Sequence, residues 1–314
     1  MKSTLIQSFI ICNLAITIFY SCQYFGKPDR TNKSDSSMVM NPEVSIPRLP
    51  NTLKETSGLL TWDHLLWTIN DSGGKNKLYG FHPRTGHIEK DVSIVNATNH
   101  DWEALAADEN YIYIGDIGNN KGNRRDLKIY KVAKDLIQED HTEVRAEVIT
   151  FSWADQDRYT WLPQSHPYDC EAMIAFRDSL YLFTKNWSQG MTKMYGVSKQ
   201  PGSYELHPID SFMVSALVTD ADISPAGDIL VLTCYFQYTP SLWIFYDFMG
   251  DALLSGQKIQ VRYPDFYNAQ TEGVAFWNAD TLFVSAEKSK RFPQAIYQFD
   301  MRYLKDSILL PAGQ

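Results

Sequence analysis

Acidic residues recur along this chain in short, patterned groups. Asp101-Trp102-Glu103-Ala104-Leu105-Ala106 and Asp169-Cys170-Glu171-Ala172-Met173-Ile174 each place two carboxylates two residues apart. Related segments are Glu55-Thr56-Ser57-Gly58-Leu59-Leu60, Thr219-Asp220-Ala221-Asp222-Ile223-Ser224 and Gln270-Thr271-Glu272-Gly273-Val274-Ala275. Residues two apart on an extended strand face the same way. Asp101 with Glu103, and Asp169 with Glu171, are therefore expected to point together. Carboxylates gathered like this can hold a divalent cation through hard oxygen ligands, capture a polar ligand, or exchange protons in acid–base or glycosidic chemistry. They can equally be turn and inter-blade hydrogen-bonding residues that face no ligand.

Other chemistries have less support. There is no Gly-x-Ser-x-Gly elbow and no phosphate-binding loop, and Gly115–Gly118 lacks a dinucleotide fingerprint. No Cys or His spacing suits zinc. His100, beside Asp101, and His166, near Asp169, are the histidines close enough to the acids to serve as general bases. The formal charge is −8, from 29 Lys and Arg against 37 Asp and Glu, which argues against a nucleic-acid partner.

The elements that position the acids are legible as a repeat. Aligning Ser57, Glu103, Glu171, Ala221 and Glu272 gives intervals of about 50 residues, with one longer interval between Glu103 and Glu171. Each acidic segment is followed by a second apolar run: Leu66–Asp71, Tyr111–Asp116, Leu180–Lys185, Ile229–Cys234 and Leu282–Glu287. A third pattern centres on Tyr79, Tyr130, Tyr195, Trp243 and Tyr297, once per repeat, as core residues. Outer strands are expected at Ile88–Val95, Arg145–Trp153, Tyr204–Phe212, Lys258–Tyr263 and Ser307–Leu310. The long interval is accommodated by loops at Ala133–Thr142 and Asp155–Tyr168. The segments are β-branched or aromatic and are bounded by turn residues. The expected fold is all-β: a single β-propeller of five four-stranded blades, with six as the alternative count. Glu43–Leu49 is expected to add a strand to the last blade and close the ring.

In a propeller the first strand of each blade lines the channel, so its start shares a rim with the end of the second strand. That brings Asp101, Glu103, Asp169, Glu171, Glu55 and Glu272 to one mouth. Asn70, Asp71, Asp116, Lys185 and Glu287 join them, with Asp220 and Asp222 nearby and Asn119, Asn120, Arg124 and Arg125 on a loop. Such crowding needs compensation. The candidate ligand-binding set is Glu55, Asp71, Asp101, Glu103, Asp116, Asn119, Asp169, Glu171, Lys185, Glu272 and Glu287. The candidate metal ligands are Glu55, Glu103, Glu171 and Glu272. Trp102, Trp187, Tyr235, Phe236 and Tyr238 fall in or beside the rim loops. Trp102 is expected to pack between blades.

The N-terminus has the layout of a secretory signal, with Lys2, an apolar run, then Ser21 and Cys22. Cys22 after Ser21 resembles a bacterial lipoprotein processing site, with Phe19 and Tyr20 departing from its usual pattern. Residues 1–21 are read as a signal peptide, 22–42 as a flexible tether lipidated at Cys22, and 43–314 as the propeller domain. The membrane would be reached through that lipid alone, placing the domain in the periplasm or at the cell surface, as a monomer. Cys170 and Cys234 could pair in an oxidising compartment or remain buried thiols.

The segments Glu55-Thr56-Ser57-Gly58-Leu59, Trp67–Gly74, Asp101–Ala106, Gly115-Asp116-Ile117-Gly118-Asn119-Asn120, Asp169–Ala172 and Thr271–Ala275 resemble those of secreted bacterial β-propeller proteins, many of them lipoproteins, without an established activity. More distantly the chain looks like SMP-30/gluconolactonase-type and SdiA-regulated-type propellers. Some SMP-30-type enzymes are lactonases or organophosphate hydrolases holding Ca²⁺ on the channel axis through Glu, Asn and Asp. Glu55 and the Asn and Asp residues at strand ends echo that arrangement, which makes calcium a candidate cofactor. Those enzymes have six blades, and their ligands do not map here residue by residue. The expectation is a binding module taking a small polar molecule or cation at an acidic mouth. The alternatives are a Ca²⁺-dependent lactonase- or esterase-like hydrolase and a protein–protein scaffold.

Overall fold

A computed structural model describes residues 36–309, apart from 140, 160 and 161. The expected signal peptide and Cys22 lie outside the described residues. Five antiparallel meanders are arranged in a ring, each beginning at its inner strand. Blade 1 runs outward through Thr56–Trp62, Leu65–Asn70, Lys77–Phe81 and Ile88–Ile94; blade 2 through Trp102–Ala107, Tyr111–Asp116, Lys128–Ala133 and Glu147–Trp153. Blade 3 comprises Asp169–Phe176, Ser179–Lys185, Thr192–Ser198 and Pro208–Phe212; blade 4 Leu217–Ile223, Ile229–Phe236, Thr239–Tyr246 and Gln257–Arg262. Blade 5 has Gln270–Asn278, Thr281–Glu287 and Ala295–Asp300. Each inner strand packs on the inner strands of its two neighbours, and blade 5 returns to blade 1. The ring therefore closes with five blades, not six.

Closure comes from the N-terminal side, as expected. Glu43–Ile46 pairs antiparallel with Ala295–Asp300, Val44 opposite Tyr297, and forms the outer strand of blade 5. That occupancy overturns the strand expected at Ser307–Leu310. Met301–Leu309 is instead a helix that turns Met301 and Leu304 into the core, the i, i+3 spacing of one helical face. Part of the expected tether is also structured: Ser36–Val39 lies parallel to Gln257–Arg262 on the outside of blade 4.

Two further strands add to blades from outside. The expected outer strand Tyr204–Phe212 is split in two. Gly202–Leu206 pairs in parallel with Glu147–Trp153 of blade 2, whereas Pro208–Phe212 completes blade 3. The break falls at His207, just before Pro208, which has no N–H for a continuing ladder. Within the expected loop Ala133–Thr142, Lys134–Gln138 forms a short helix, after which Glu143–Val144 pairs with Ile88–Ile94.

The hydrophobic core is partitioned between blades. Five clusters of buried side chains occupy the five blade–blade interfaces. Tyr79, Tyr130, Tyr195, Trp243 and Tyr297 are all buried in them. A fully buried large apolar side chain contributes about 1.5–3 kcal/mol, so each interface holds its neighbours firmly. Trp102 is buried in the blade 1–2 interface with its Nε1–H donated to Thr98 O at 3.2 Å, as a packing residue. Cys170 and Cys234 are free thiols buried in different interfaces, so they form no disulfide.

Candidate functional site

All five inner strands carry an irregularity at one level near their start. The register shifts at Gly58, Glu103, Glu171, Thr219 and Glu272, each lying between two residues paired to consecutive partners. Such a bulge reverses the alternation of side chains and re-aims the residue it carries. Three of the five blades place a glutamate there. In blade 1 the position is Gly58, with φ +62°, and a Cβ would stand 2.7 Å from the Leu105 nitrogen of blade 2. Only glycine suits both the left-handed backbone and that approach. Neither Glu55 nor Ser57 is the true counterpart of the three glutamates. In blade 4 the counterpart is Thr219, not Ala221.

The glutamates converge with groups from the second strands. One oxygen each from Asp71, Asp101 and Glu103 lie within 4.8 Å of one another. Glu103 is buried and accepts a hydrogen bond from Ser57 Oγ at 3.2 Å, while the same hydroxyl lies 2.9 Å from the Glu103 carbonyl. Glu171 is buried and meets Lys185 Nζ at 2.5 Å. The Lys185 ammonium lies 4.9 Å from the Trp187 ring centroid and 5.3 Å from that of Tyr235, within cation–π range. Glu287 accepts from Gln270 Nε2 at 2.6 Å.

Electrostatics binds these groups into one field. Burial raises Asp101 to about 7, reinforced by Asp71 and Asp169. Glu103 is pushed well above the usual range by burial and then by Glu171, Asp71 and Asp101. Burial lifts Glu272 to about 7 against the pull of Lys185, and lifts Glu287 to about 8 with help from Glu272 and Asp71. Asp71 is also raised by burial, against the Ser72 N–H and Lys185. Burial disfavours the Lys185 charge, but Glu171, Tyr235, Glu272 and Asp169 together outweigh it, so the ammonium stays protonated. The mouth is thus a set of carboxyls from blades 1, 2, 3 and 5 around a single buried lysine.

The remaining sequence candidates stand apart. Asp116 pairs with Trp102, one step out of line with Lys185 and Glu287, so it turns between blades. It is fully buried, 2.9 Å from Arg124, and accepts the Asp101 N–H at 3.1 Å. Asp169 accepts from the Asn119 N–H at 2.6 Å, the Cys170 N–H at 3.1 Å and Trp187 Nε1 at 2.7 Å. It therefore does not point with Glu171. Asn119 spends its amide on Tyr168 O and the Arg124 N–H. These three residues hold the rim together. Glu55 sits at its edge, half exposed and 3.2 Å from Lys54.

The loop following Asp116 approaches the acids closely. A Cβ on Gly118 would lie 2.5 Å from Asp101 Cγ and 2.8 Å from Glu103 Cγ. His166 Nδ1 accepts the Tyr168 N–H at 3.1 Å, leaving Nε2 to face Asn120 O at 3.2 Å, so it braces the loop. His100 turns to Asp126 at 3.0 Å. Neither is placed as a general base. Ser57, the partner of Glu103, was not singled out for this role from sequence, although its near-alignment with Glu103 in the neighbouring blade was the available signal.

Below the mouth the channel narrows. The Asp220 carboxylate accepts the N–H groups of Leu59 at 3.2 Å and Val274 at 2.8 Å, tying blade 4 to blades 1 and 5. Asp222 accepts the Phe276 N–H at 2.7 Å. Both are structural ties in addition to whatever else they do.

No protein-family model matches the chain, and a search of curated proteins finds no match. Solved structures with similar shape include Myxococcus xanthus glutaminyl cyclase, at 10% identity and a TM-score of 0.48, covering 85% of this chain and 98% of that one. The nidogen/laminin complex aligns at 12% identity and TM-score 0.45, covering 80% of this chain and 77% of that one. Kuenenia stuttgartiensis hydrazine synthase aligns at 11% identity and TM-score 0.45, covering 88% and 82%. The activities those names carry belong to those proteins; what stands for this chain is an all-β, five-bladed propeller.

Proposed function

We propose that this protein is a lipid-anchored, extracytoplasmic β-propeller that binds a divalent cation, alone or carrying a small polar ligand, at its acidic channel mouth. The observation that carries the reading is the meeting of Asp71, Asp101 and Glu103, drawn from two blades, with oxygens within 4.8 Å of one another. Three atoms so spaced lie no more than about 2.8 Å from a common point, so a small side-chain adjustment brings all three to Ca²⁺–oxygen distance, about 2.3–2.6 Å. The donors are hard oxygens without His or Cys, which suits calcium or magnesium better than zinc. The expected four-glutamate set is thereby revised: Glu103 stays, Asp71 and Asp101 replace Glu55, and Glu171 is engaged by Lys185. A cation would take over the charge balance that protons now supply. The layout around Cys22 supports the anchor.

Calorimetric titration of Ca²⁺ and Mg²⁺ into the purified domain tests the site. Binding with proton release, lost in Asp101→Asn and Glu103→Gln, is expected. Wild-type protein that takes up neither ion would refute the cation reading. Mass analysis of the mature N-terminus in Cys22→Ser against wild type tests the anchor.

A hydrolytic use of the same mouth is favoured by the burial that lifts Asp101 and Glu272 to about 7, where a carboxyl can take up and release a proton effectively. Lactone and phosphotriester turnover, assayed with and without Ca²⁺, decides this.

A further inference from the structure

The end of the channel remote from the acids holds a cavity of about 380 Å³, lined from all five blades. Its wall includes Thr61, Ala106, Ala175, Asp222, Gly227 and Phe276. That volume falls within the range of small-molecule sites. It is separated from the acidic mouth by the Asp220 carboxylate, which reaches from blade 4 to backbone N–H groups of both blade 5 and blade 1 and so crosses the axis. At that level the neighbouring inner strands of blades 5 and 1 pack closely, since a Cβ on Gly273 would lie 2.8 Å from Leu59 Cβ.

The wall chemistry is one-sided. Its other polar side chains are spoken for: Thr61 Oγ1 donates to Phe276 O at 2.7 Å, and Ser224 Oγ donates to Asp228 at 2.6 Å. Asp222 is the one titratable side chain lining the cavity. Among the described residues no Lys or Arg pairs with it. A carboxylate offers about four acceptor sites, and the N–H groups of Phe276 and Ile223 leave part of that capacity unused. We propose that this cavity is a second ligand site for a small primary amine, its alkyl or aryl group on the apolar wall and its ammonium on the Asp222 carboxylate. The site is independent of the cation reading of the opposite mouth. Burial holds the Asp222 carboxyl at about 7, with those two N–H groups opposing, so an ammonium would displace its proton and strengthen the pair in doing so.

Benzylamine and n-butylamine are the probes, with benzyl alcohol as the uncharged control, titrated against the domain and followed by calorimetry and by NMR shifts of Ala175 and Phe276. Saturable amine binding is expected, weaker by about tenfold or more for the alcohol and for Asp222→Asn, the usual range for a lost charge-assisted hydrogen bond. Ala175→Leu, which adds bulk at the cavity wall on blade 3 and leaves the Asp222 carboxyl in place, should also abolish it. Glu103→Gln, at the other mouth, should leave it unchanged. If Asp222→Asn does not fold, Ala175→Leu decides alone. No saturation by either amine, or binding lost in Glu103→Gln and kept in Ala175→Leu, would overturn the proposal.

Discussion

Stability should fall as pH rises through neutrality, and a bound cation should flatten that fall. Asp101, Glu272 and Glu287 have folded-state values of about 7, 7 and 8, against 3.8, 4.5 and 4.5 for the unperturbed groups. Between about pH 5 and about pH 7 the folded protein therefore keeps protons that the unfolded chain has already released. A folded state that binds more protons loses stability as they are withdrawn. The contribution is fully present below the unfolded values and gone above the folded ones. Each retained proton is worth ~1.4 kcal/mol per pH unit. These three alone give ~4 kcal/mol per unit before coupling among neighbouring carboxyls and residual water access, which bring their share to about half; Asp222, also at about 7, and Glu103, Glu171 and Asp220, raised by burial, act in the same sense. At about 2 °C per kcal/mol for a chain of this length, the melting temperature should drop by at least about 4 °C per unit. Asp108 and Asp126, whose values are lowered, act in the opposite sense only in more acidic solution. Scanning calorimetry across this window, with chelator and with millimolar Ca²⁺, measures the slope directly. A melting temperature that is level or rises with pH in chelator would show that the acids are not held protonated and would refute the reasoning.

Two substitutions probe the supports of the mouth. Lys185→Met leaves Glu171 buried without its partner and should cost about 3–5 kcal/mol, read by denaturant unfolding. The loss should be smaller at acid pH, where Glu171 can take a proton. Gly118→Ala drives a methyl into Asp101 and Glu103 and should cost about 1–3 kcal/mol as overpacking, together with any cation affinity, while circular dichroism stays that of an all-β protein.

The five-bladed ring was legible because each blade repeats the same demands: an inner run buried on both faces, a second apolar run and one aromatic in the interface. Those demands are local and recur in register. The closing strand was legible for a related reason, because an extended segment before the first repeat had no other edge to satisfy. The site was less so. Asp116 and Lys185 end similar runs in the sequence, but both inner strands carry the same bulge, so Asp116 takes the place of Thr184 rather than of Lys185, and parity sends it between blades. Asp169 looks like Asp101 in its own segment, but the Asn119 N–H and the Trp187 indole, from two different loops, claim it. The first claim is made across blades and the second from a loop of the same blade, and neither leaves a trace in the Asp169 segment alone. The helix at Met301–Leu309 escaped notice because the repeat called for a strand there, and a strand from the other end of the chain had already filled that place.

The seam in blade 5 has a consequence for biosynthesis. Val44 leaves the ribosome about 250 residues before Tyr297, its partner across the seam. Until then the nascent chain has an open arc, with one unpaired edge at each end. Long-range pairing of this kind is slow and exposes sticky edges while it waits. Ser36–Val39 finds its place on blade 4 somewhat earlier, so the last strand to be made meets a partner already held beside it. The circle is sealed only once Ala295–Asp300 has been made, and truncations that remove it would leave an arc rather than a smaller ring.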